Sequence, residues 1–143
     1  GLRLDDGRVI ADFARNAINN EPIIIKSDGL ATRAFCYLTD ANIMMWNVLL
    51  RQADETGQSF DVFNIGNPAN EVSIRELAQL FSDLYGCDLQ VLGTPAEEGK
   101  EAPLRSSPDI GKFIRSFGFE PQVSLSEGVQ KAVEWAREYH HVH

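Results

Sequence analysis

The stretch Lys26 to Asp40 (KSDGLATRAFCYLTD) constrains the fold of this chain more than any other. It reads as the end of a strand, a tight Asp28-Gly29 turn, a return strand over Ala31 to Leu38, and a helix cap at Thr39 or Asp40. Arg33 stands among apolar residues on the return strand. A charge on the buried side of a strand is costly unless it is paired. The planar guanidinium fork suits a phosphate or a carboxylate. From this strand alone two readings stay open: an ion pair inside the domain, or a contact to an anionic ligand.

The flanking sequence reads as alternating helices and short strands. Ile10, Phe13, Ala14, Ala17 and Ile18 recur at helical spacing after Asp6-Gly7, and Asn19-Asn20-Glu21-Pro22 ends that helix. Ile23 to Lys26 is a β-branched strand. Phe60 to Gly66 and Asp88 to Leu92 read as two more strands. Ser73-x-x-Glu76 is a capping box opening a helix to about Tyr85, with Ile74, Leu77, Phe81 and Leu84 on one face and Gly86 as its stop. Thr94 to Leu104 is polar and contains prolines, so it reads as a loop. Ser107-Pro108 reads as an N-cap followed by proline at the first helical position, with a helix to about Ser116. Ser124-x-x-Glu127 is a second capping box, opening a last helix that turns Val129, Ala132, Val133 and Ala136 inward. The expected class is α/β, in one domain over residues 1–143.

The helix from Thr39 or Asp40 to about Asp54 is unusual. Ile43, Met44, Met45, Trp46, Val48, Leu49 and Leu50 cover most of its circumference. A chain of 143 residues cannot easily bury such a helix on all sides, so the expectation is an exposed apolar patch or an oligomer that covers it.

Charge and motifs narrow the function. With 13 basic and 21 acidic residues the net charge is −8, which argues against a nucleic-acid surface but leaves room for one or two placed arginines. Cys36 and Cys87 have no zinc-ligand spacing, and their scarcity suits a reducing, cytoplasmic setting. No apolar run reaches membrane-spanning length, and no signal peptide is visible. His140, His141 and His143 are read as a terminal tail rather than a metal site. No glycine run of the dinucleotide-binding kind is present. Tyr37, Tyr85 and Tyr139 are followed four positions later by Ala41, Leu89 and His143, so no Tyr-x-x-x-Lys pair exists. The chain opens inside what reads as a loop, without an initiator methionine, and the expectation is a part of a longer protein.

Four segments carry a resemblance. Asp28-Gly29-x-x-x-Arg33-x-Phe35-x-Tyr37-x-x-Asp40 resembles the nucleotide-sugar-binding half of the extended short-chain dehydrogenase/reductases. So do Gly1 to Phe13, the run Phe63-Asn64-Ile65-Gly66-Asn67-Pro68 with Ser73 to Ala78, and Leu104 to Ile110 with Phe117-Gly118-Phe119-Glu120-Pro121, in the same order. The resemblance is to members such as the UDP-glucuronate decarboxylases and the UDP-sugar epimerases. The resemblance implies the C-terminal substrate-binding domain of an NAD-dependent nucleotide-sugar epimerase, dehydratase or decarboxylase, with the Rossmann half missing. It implies that the fragment alone is inactive and that NAD binds the missing domain and not this chain. The implied partners are a UDP- or dTDP-sugar, the protein's own Rossmann domain and, for the full-length enzyme, a second copy in a homodimer. The alternative is a stand-alone, non-catalytic nucleotide-sugar-binding module.

The resemblance also nominates residues. Arg33 stands where the family grips the nucleotide diphosphate. Arg105, in Arg105-x-x-Pro108-Asp109, would combine a guanidinium with the N–H groups of the helix expected to open at Ser107-Pro108. Val9 and Phe13 are candidates for the wall against the base, with helix core as the other reading. Asn67 could meet the ribose or phosphate, or serve only its turn.

Overall fold

In the computed structural model, residues 3–5, 7–51, 61–93 and 103–140 are described. They fall into two compact units, Gly1–Arg33 with Val72–Ser106 and Ser126–His143, and Ala34–Glu71 with Ser107–Leu125. The class is α/β, with five helices and short strands.

The first unit begins with helix α1, Val9–Asn19. Its buried residues Ala11, Phe13, Ala14 and Ala17 repeat at helical spacing. Asn20 ends it in the left-handed conformation at φ 56°, and the Asn16 side-chain amide donates to Pro22 O at 2.8 Å, which fixes the exit. Strand β1, Ile23–Ile25, buries Ile23 and Ile25 and exposes Ile24, the alternation of a pleated strand. It pairs in parallel with β4, Leu89–Val91, in the register Ile23 to Leu89 and Ile25 to Val91. A parallel pair needs a crossover, and helix α3, Ile74–Tyr85, lies in the intervening chain and packs on α1, β1 and β4. Phe13 of α1 meets Phe81 of α3 edge to face, with centroids 5.7 Å apart. From helix α5, Leu125–His140, the residues Val129, Val133 and Ala136 are buried.

The capping box of α3 forms as expected. Ser73 Oγ accepts from Glu76 N at 3.1 Å, and Glu76 Oε2 accepts from Ser73 N at 2.7 Å. Gly86 ends the helix at φ 70°.

The Asp28-Gly29 turn is present but closes no hairpin. Strand β2, Thr32–Ala34, does not pair with β1; it lies in a separate sheet of order β3-β2-β5, with β3 at Glu71–Ser73 and β5 at Arg105–Ser106. The carbonyls of Gly29 and Ala31 accept from the first N–H groups of α3, which turns the chain away from β1.

In the second unit, helix α2 spans Leu38–Leu49. Neither Thr39 nor Asp40 caps it: Tyr37 precedes the helix with no side-chain cap bond, and Asp40 lies inside the first turn. The buried Asp40 carboxylate instead accepts from the backbone N–H groups of Gln122 and Val123 at 3.0 and 2.8 Å. The helix stops at Leu49, short of the expected Asp54, which lies outside the described residues. Met44 packs with Ile110 and Phe113 in a core that also takes Phe63, Ile65 and Phe117. Residues 61–66 form no strand, although Phe63 and Ile65 alternate inward; no strand pairs with them among the described residues. Most of the expected loop before Leu104 is also outside the described residues. Helix α4 runs Gly111–Phe117, starting later than Ser107-Pro108 suggests. Pro108 sits against Gly66, and Asp109 Oδ1 accepts from Gly111 N at 2.8 Å, so the local turn delays the helix.

The apolar circumference of α2 is largely open within this chain. Trp46 is 58% exposed, Leu49 69% and Leu50 72%, and Met45 and Ile43 are exposed too. No helix among the described residues is long and apolar enough to cross a membrane.

Candidate functional site

Four of the five nominated residues belong to the first unit and one to the second. Arg33 occupies the middle of β2 and is half-buried. Its Nη1 donates to the carbonyl of Thr32 at 2.7 Å, and among the described residues no carboxylate pairs with it. The internal ion pair that the sequence leaves open is therefore not formed among them.

Arg105 lies on the adjacent strand β5, in parallel register with β2. Thr32 stands opposite Arg105 and Arg33 opposite Ser106. Successive side chains on a strand alternate between faces, so Arg33 and Arg105 leave neighbouring strands toward opposite faces of the sheet. Arg105 is exposed, and β5 is an edge strand. The helix start expected beside Arg105 is not there: Arg105 is a strand residue, and α4 opens only at Gly111. The expected combination of guanidinium and helix dipole is therefore not formed at Arg105, which corrects the sequence reading.

Val9 is the first residue of α1 and is half-buried. Phe13, at 2% exposure, lies in the core against Phe81 rather than on an open wall. Asn67 belongs to the second unit and is 4% exposed. Its Oδ1 accepts from Ala69 N at 3.1 Å and caps the single turn of 3-10 helix at Pro68–Asn70, while its Nδ2 donates to Val123 O at 3.4 Å. Both ends of the amide thus have protein partners, which is the turn role.

Sequence reasoning missed the polar cluster around Val123. The Asn70 side-chain amide donates to Phe35 O at 3.1 Å and Val123 O at 3.0 Å, and Asp40 takes the N–H of Val123. The partners lie 35 to 83 residues apart along the chain, and no local spacing signals them.

The described side chains offer little reaction chemistry of their own. The Cys36 thiol is pushed above its ordinary pKa by burial and, secondarily, by the negative charge of Asp40, so it is a poor nucleophile. Burial likewise raises Tyr85, against the pull of Arg137, and disfavours the phenolate. Among the described residues no cluster of three His, Cys, Asp or Glu could hold a metal ion. A hollow of about 390 Å³ is lined by Ile43, Trp46, Asn47, Leu50, Arg51 and Phe117 of the second unit, and none of the nominated residues is in it. Among the described residues, Arg33 is a half-buried cation with no carboxylate partner.

Residues 2–66 match the model of the NAD dependent epimerase/dehydratase family. UDP-glucuronic acid decarboxylase 6 of Arabidopsis thaliana is 34% identical over 128 residues, 90% of this chain and 35% of that protein. The solved UDP-glucose 4-epimerase of Thermotoga maritima, with UDP-glucose, is similar at a TM-score of 0.76 and 25% identity, over 96% of this chain and 42% of that one. A dTDP-glucose 4,6-dehydratase of Streptomyces venezuelae, with NAD bound, has a TM-score of 0.76 and 27% identity, over 94% of this chain and 39% of that one.

Sequence and fold together relate this chain to the extended short-chain dehydrogenase/reductases, the NAD-dependent epimerases and dehydratases. It spans about a third of the length of the curated relatives it matches, and its fold of helices and short strands is found within the longer chains of the solved epimerase and dehydratase.

Proposed function

We propose that this chain is the substrate-binding part of an NAD-dependent nucleotide-sugar epimerase, dehydratase or decarboxylase, and that Arg33 grips the nucleotide diphosphate. The carrying observation is Arg33 itself: a half-buried guanidinium on a strand, with only its neighbour's carbonyl as partner among the described residues. An anionic ligand would supply the charge that the described residues do not. Arg105, on the exposed edge strand beside it, leaves the sheet on the opposite face, so it is the second and weaker contact, reaching the ligand only around the strand edge. Val9, at the start of α1, is the remaining candidate beside the base. The similarity to a UDP-glucuronic acid decarboxylase, and to an epimerase solved with UDP-glucose, supports a UDP-sugar.

The dinucleotide belongs elsewhere in this reading. These 143 residues hold neither the glycine-rich loop that lets a backbone approach a pyrophosphate nor a Tyr-x-x-x-Lys pair, so no hydride or proton step is assigned to them. Their work is to bind and orient: remote binding energy at the diphosphate holds the sugar where the reacting groups can act on it. The open apolar face of α2 favours this reading over a free-standing module, whose surface would be finished.

Calorimetric titration of the chain with UDP tests the assignment. Wild type binds, and Arg33→Ala loses about 1.5–3 kcal/mol, the range for a charge-assisted hydrogen bond. Arg105→Ala loses less, because that residue is exposed. Wild-type affinity in both variants sinks the assignment.

A further inference from the structure

The turn before Arg33 is locked onto the first turn of α3. The N–H groups of Ile74 and Arg75 donate to the carbonyls of Ala31 and Gly29, each at 3.0 Å, while Ser73 Oγ takes the N–H of Glu76. Arg75 Nη2 adds a bond to Asp28 O at 3.0 Å. The N-terminus of this helix is therefore an anchor for protein carbonyls and has no donors left over there for an anion. Inside the turn, Asp28 Oδ1 accepts from Leu30 N at 2.9 Å and Ser27 Oγ from Gly29 N at 3.2 Å. One residue past it, Thr32 N donates to Leu104 O at 2.7 Å and starts the pairing with β5. The backbone is thus held from Asp28 to Thr32, and Arg33 is the next residue.

Gly29 is the tightest point of this lock. It is buried, with φ +74°, a conformation that L side chains rarely adopt. A Cβ there would stand 3.3 Å from both Arg75 Cβ and Ile25 Cγ2 and 3.4 Å from Arg75 N. A side chain at this position makes its neighbours on α3 and β1 give by a few tenths of an ångström, on top of the strain of the positive φ.

We propose that Gly29 is a positioning residue for Arg33: by seating the Asp28–Ala31 turn on α3, it sets the place from which the guanidinium reaches its anion. The proposal rests on the reading of Arg33 as a diphosphate contact.

Gly86 supplies a matched control. It caps the other end of α3 at φ +70°, and a Cβ there meets nothing within 4 Å. Gly29→Ala and Gly86→Ala incur the same kind of backbone strain, but only the first crowds the turn against α3. UDP titration and amide hydrogen exchange on the 143-residue chain separate them. The expected result is wild-type UDP affinity in Gly86→Ala, about a tenfold loss in Gly29→Ala, and faster exchange at Thr32 and Arg33 in Gly29→Ala alone. If Gly29→Ala does not fold, Arg75→Ala, at an exposed position, removes the bond to Asp28 O and shows a smaller loss in the same direction. Equal UDP affinity in the Gly29 and Gly86 variants, unchanged exchange at Thr32 and Arg33, or wild-type affinity in the Arg75 variant overturns the positioning role. A wild-type chain that does not bind UDP overturns the ligand reading of Arg33, and the positioning role with it; a wild type that binds and is abolished by Arg33→Ala leaves the Gly29 comparison to decide alone.

Discussion

Gly66→Ala isolates one steric contact in the second unit. Gly66 is buried, and a Cβ built there would lie 2.4 Å from Pro108 Cγ and 3.5 Å from Pro108 Cβ and Cδ. Carbon atoms pack best at about 3.5–4.0 Å, so the overlap is roughly 1 Å. The pyrrolidine ring cannot rotate out of the way, because its own backbone holds it. Overpacking of this size costs about 1–3 kcal/mol. Gly66 is not among the positive-φ glycines, so alanine adds no left-handed strain and recovers about 0.4–1 kcal/mol through the unfolded chain. The net loss is about 1–2 kcal/mol, a fall in Tm of roughly 3–8 °C for a chain of this size. Thermal unfolding followed by circular dichroism reads it. The same reasoning makes Pro108→Ala a suppressor: it removes Cγ and Cδ, and the remaining Cβ at 3.5 Å is ordinary contact. In the double variant the two losses should therefore be less than additive, by about 1 kcal/mol. A Gly66→Ala variant that melts with the wild type, or a double variant whose losses simply add, refutes the argument.

Two further predictions concern polar contacts. Glu76 is held below the usual carboxylate pKa, chiefly by the backbone N–H of Ser73 and then by its hydroxyl. A depressed folded-state pKa stabilises the protein above the unfolded carboxylate value, and the effect fades as pH falls through the folded value. The stability advantage of wild type over Glu76→Gln is thus present at neutral pH and disappears in acid; a difference that stays constant across an acid melting series contradicts the cause. Asn70→Ala takes the side-chain donor from the carbonyls of Phe35 and Val123 in a buried setting, at about 1–3 kcal/mol for a group left unsatisfied. Urea unfolding reads that loss, and a midpoint unchanged from wild type shows that water replaces the amide without penalty.

The elements that the sequence discloses are those whose determinants are local. In α3, Ser73 and Glu76 satisfy each other across three residues, the apolar face repeats within one helix, and Gly86 supplies the only conformation the exit needs. Helix α1 and strand β1 are legible for the same reason: the pattern of burial lies in the segment itself.

The misreadings share a different cause. Asp-Gly is a strong hairpin signal, but Gly29 and Ala31 give their carbonyls to a helix more than forty residues further on, and that docking decides the direction of the chain. Asp40 has the right chemistry for a cap, yet the N–H groups it accepts from are those of Gln122 and Val123. Ser107-Pro108 has the pattern of a helix start, but Pro108 is the wall against Gly66. In each case a residue type suited to a local role makes its bond or contact with a distant partner, and single-chain spacing cannot show which partner wins. The candidate site divides along the same line. Arg33 is legible because a lone guanidinium on an apolar strand demands an explanation whatever surrounds it. Phe13 and Asn67 suit more than one role by type, and only their partners, Phe81 for the ring and Ala69 with Val123 for the amide, assign them to the core and to the turn.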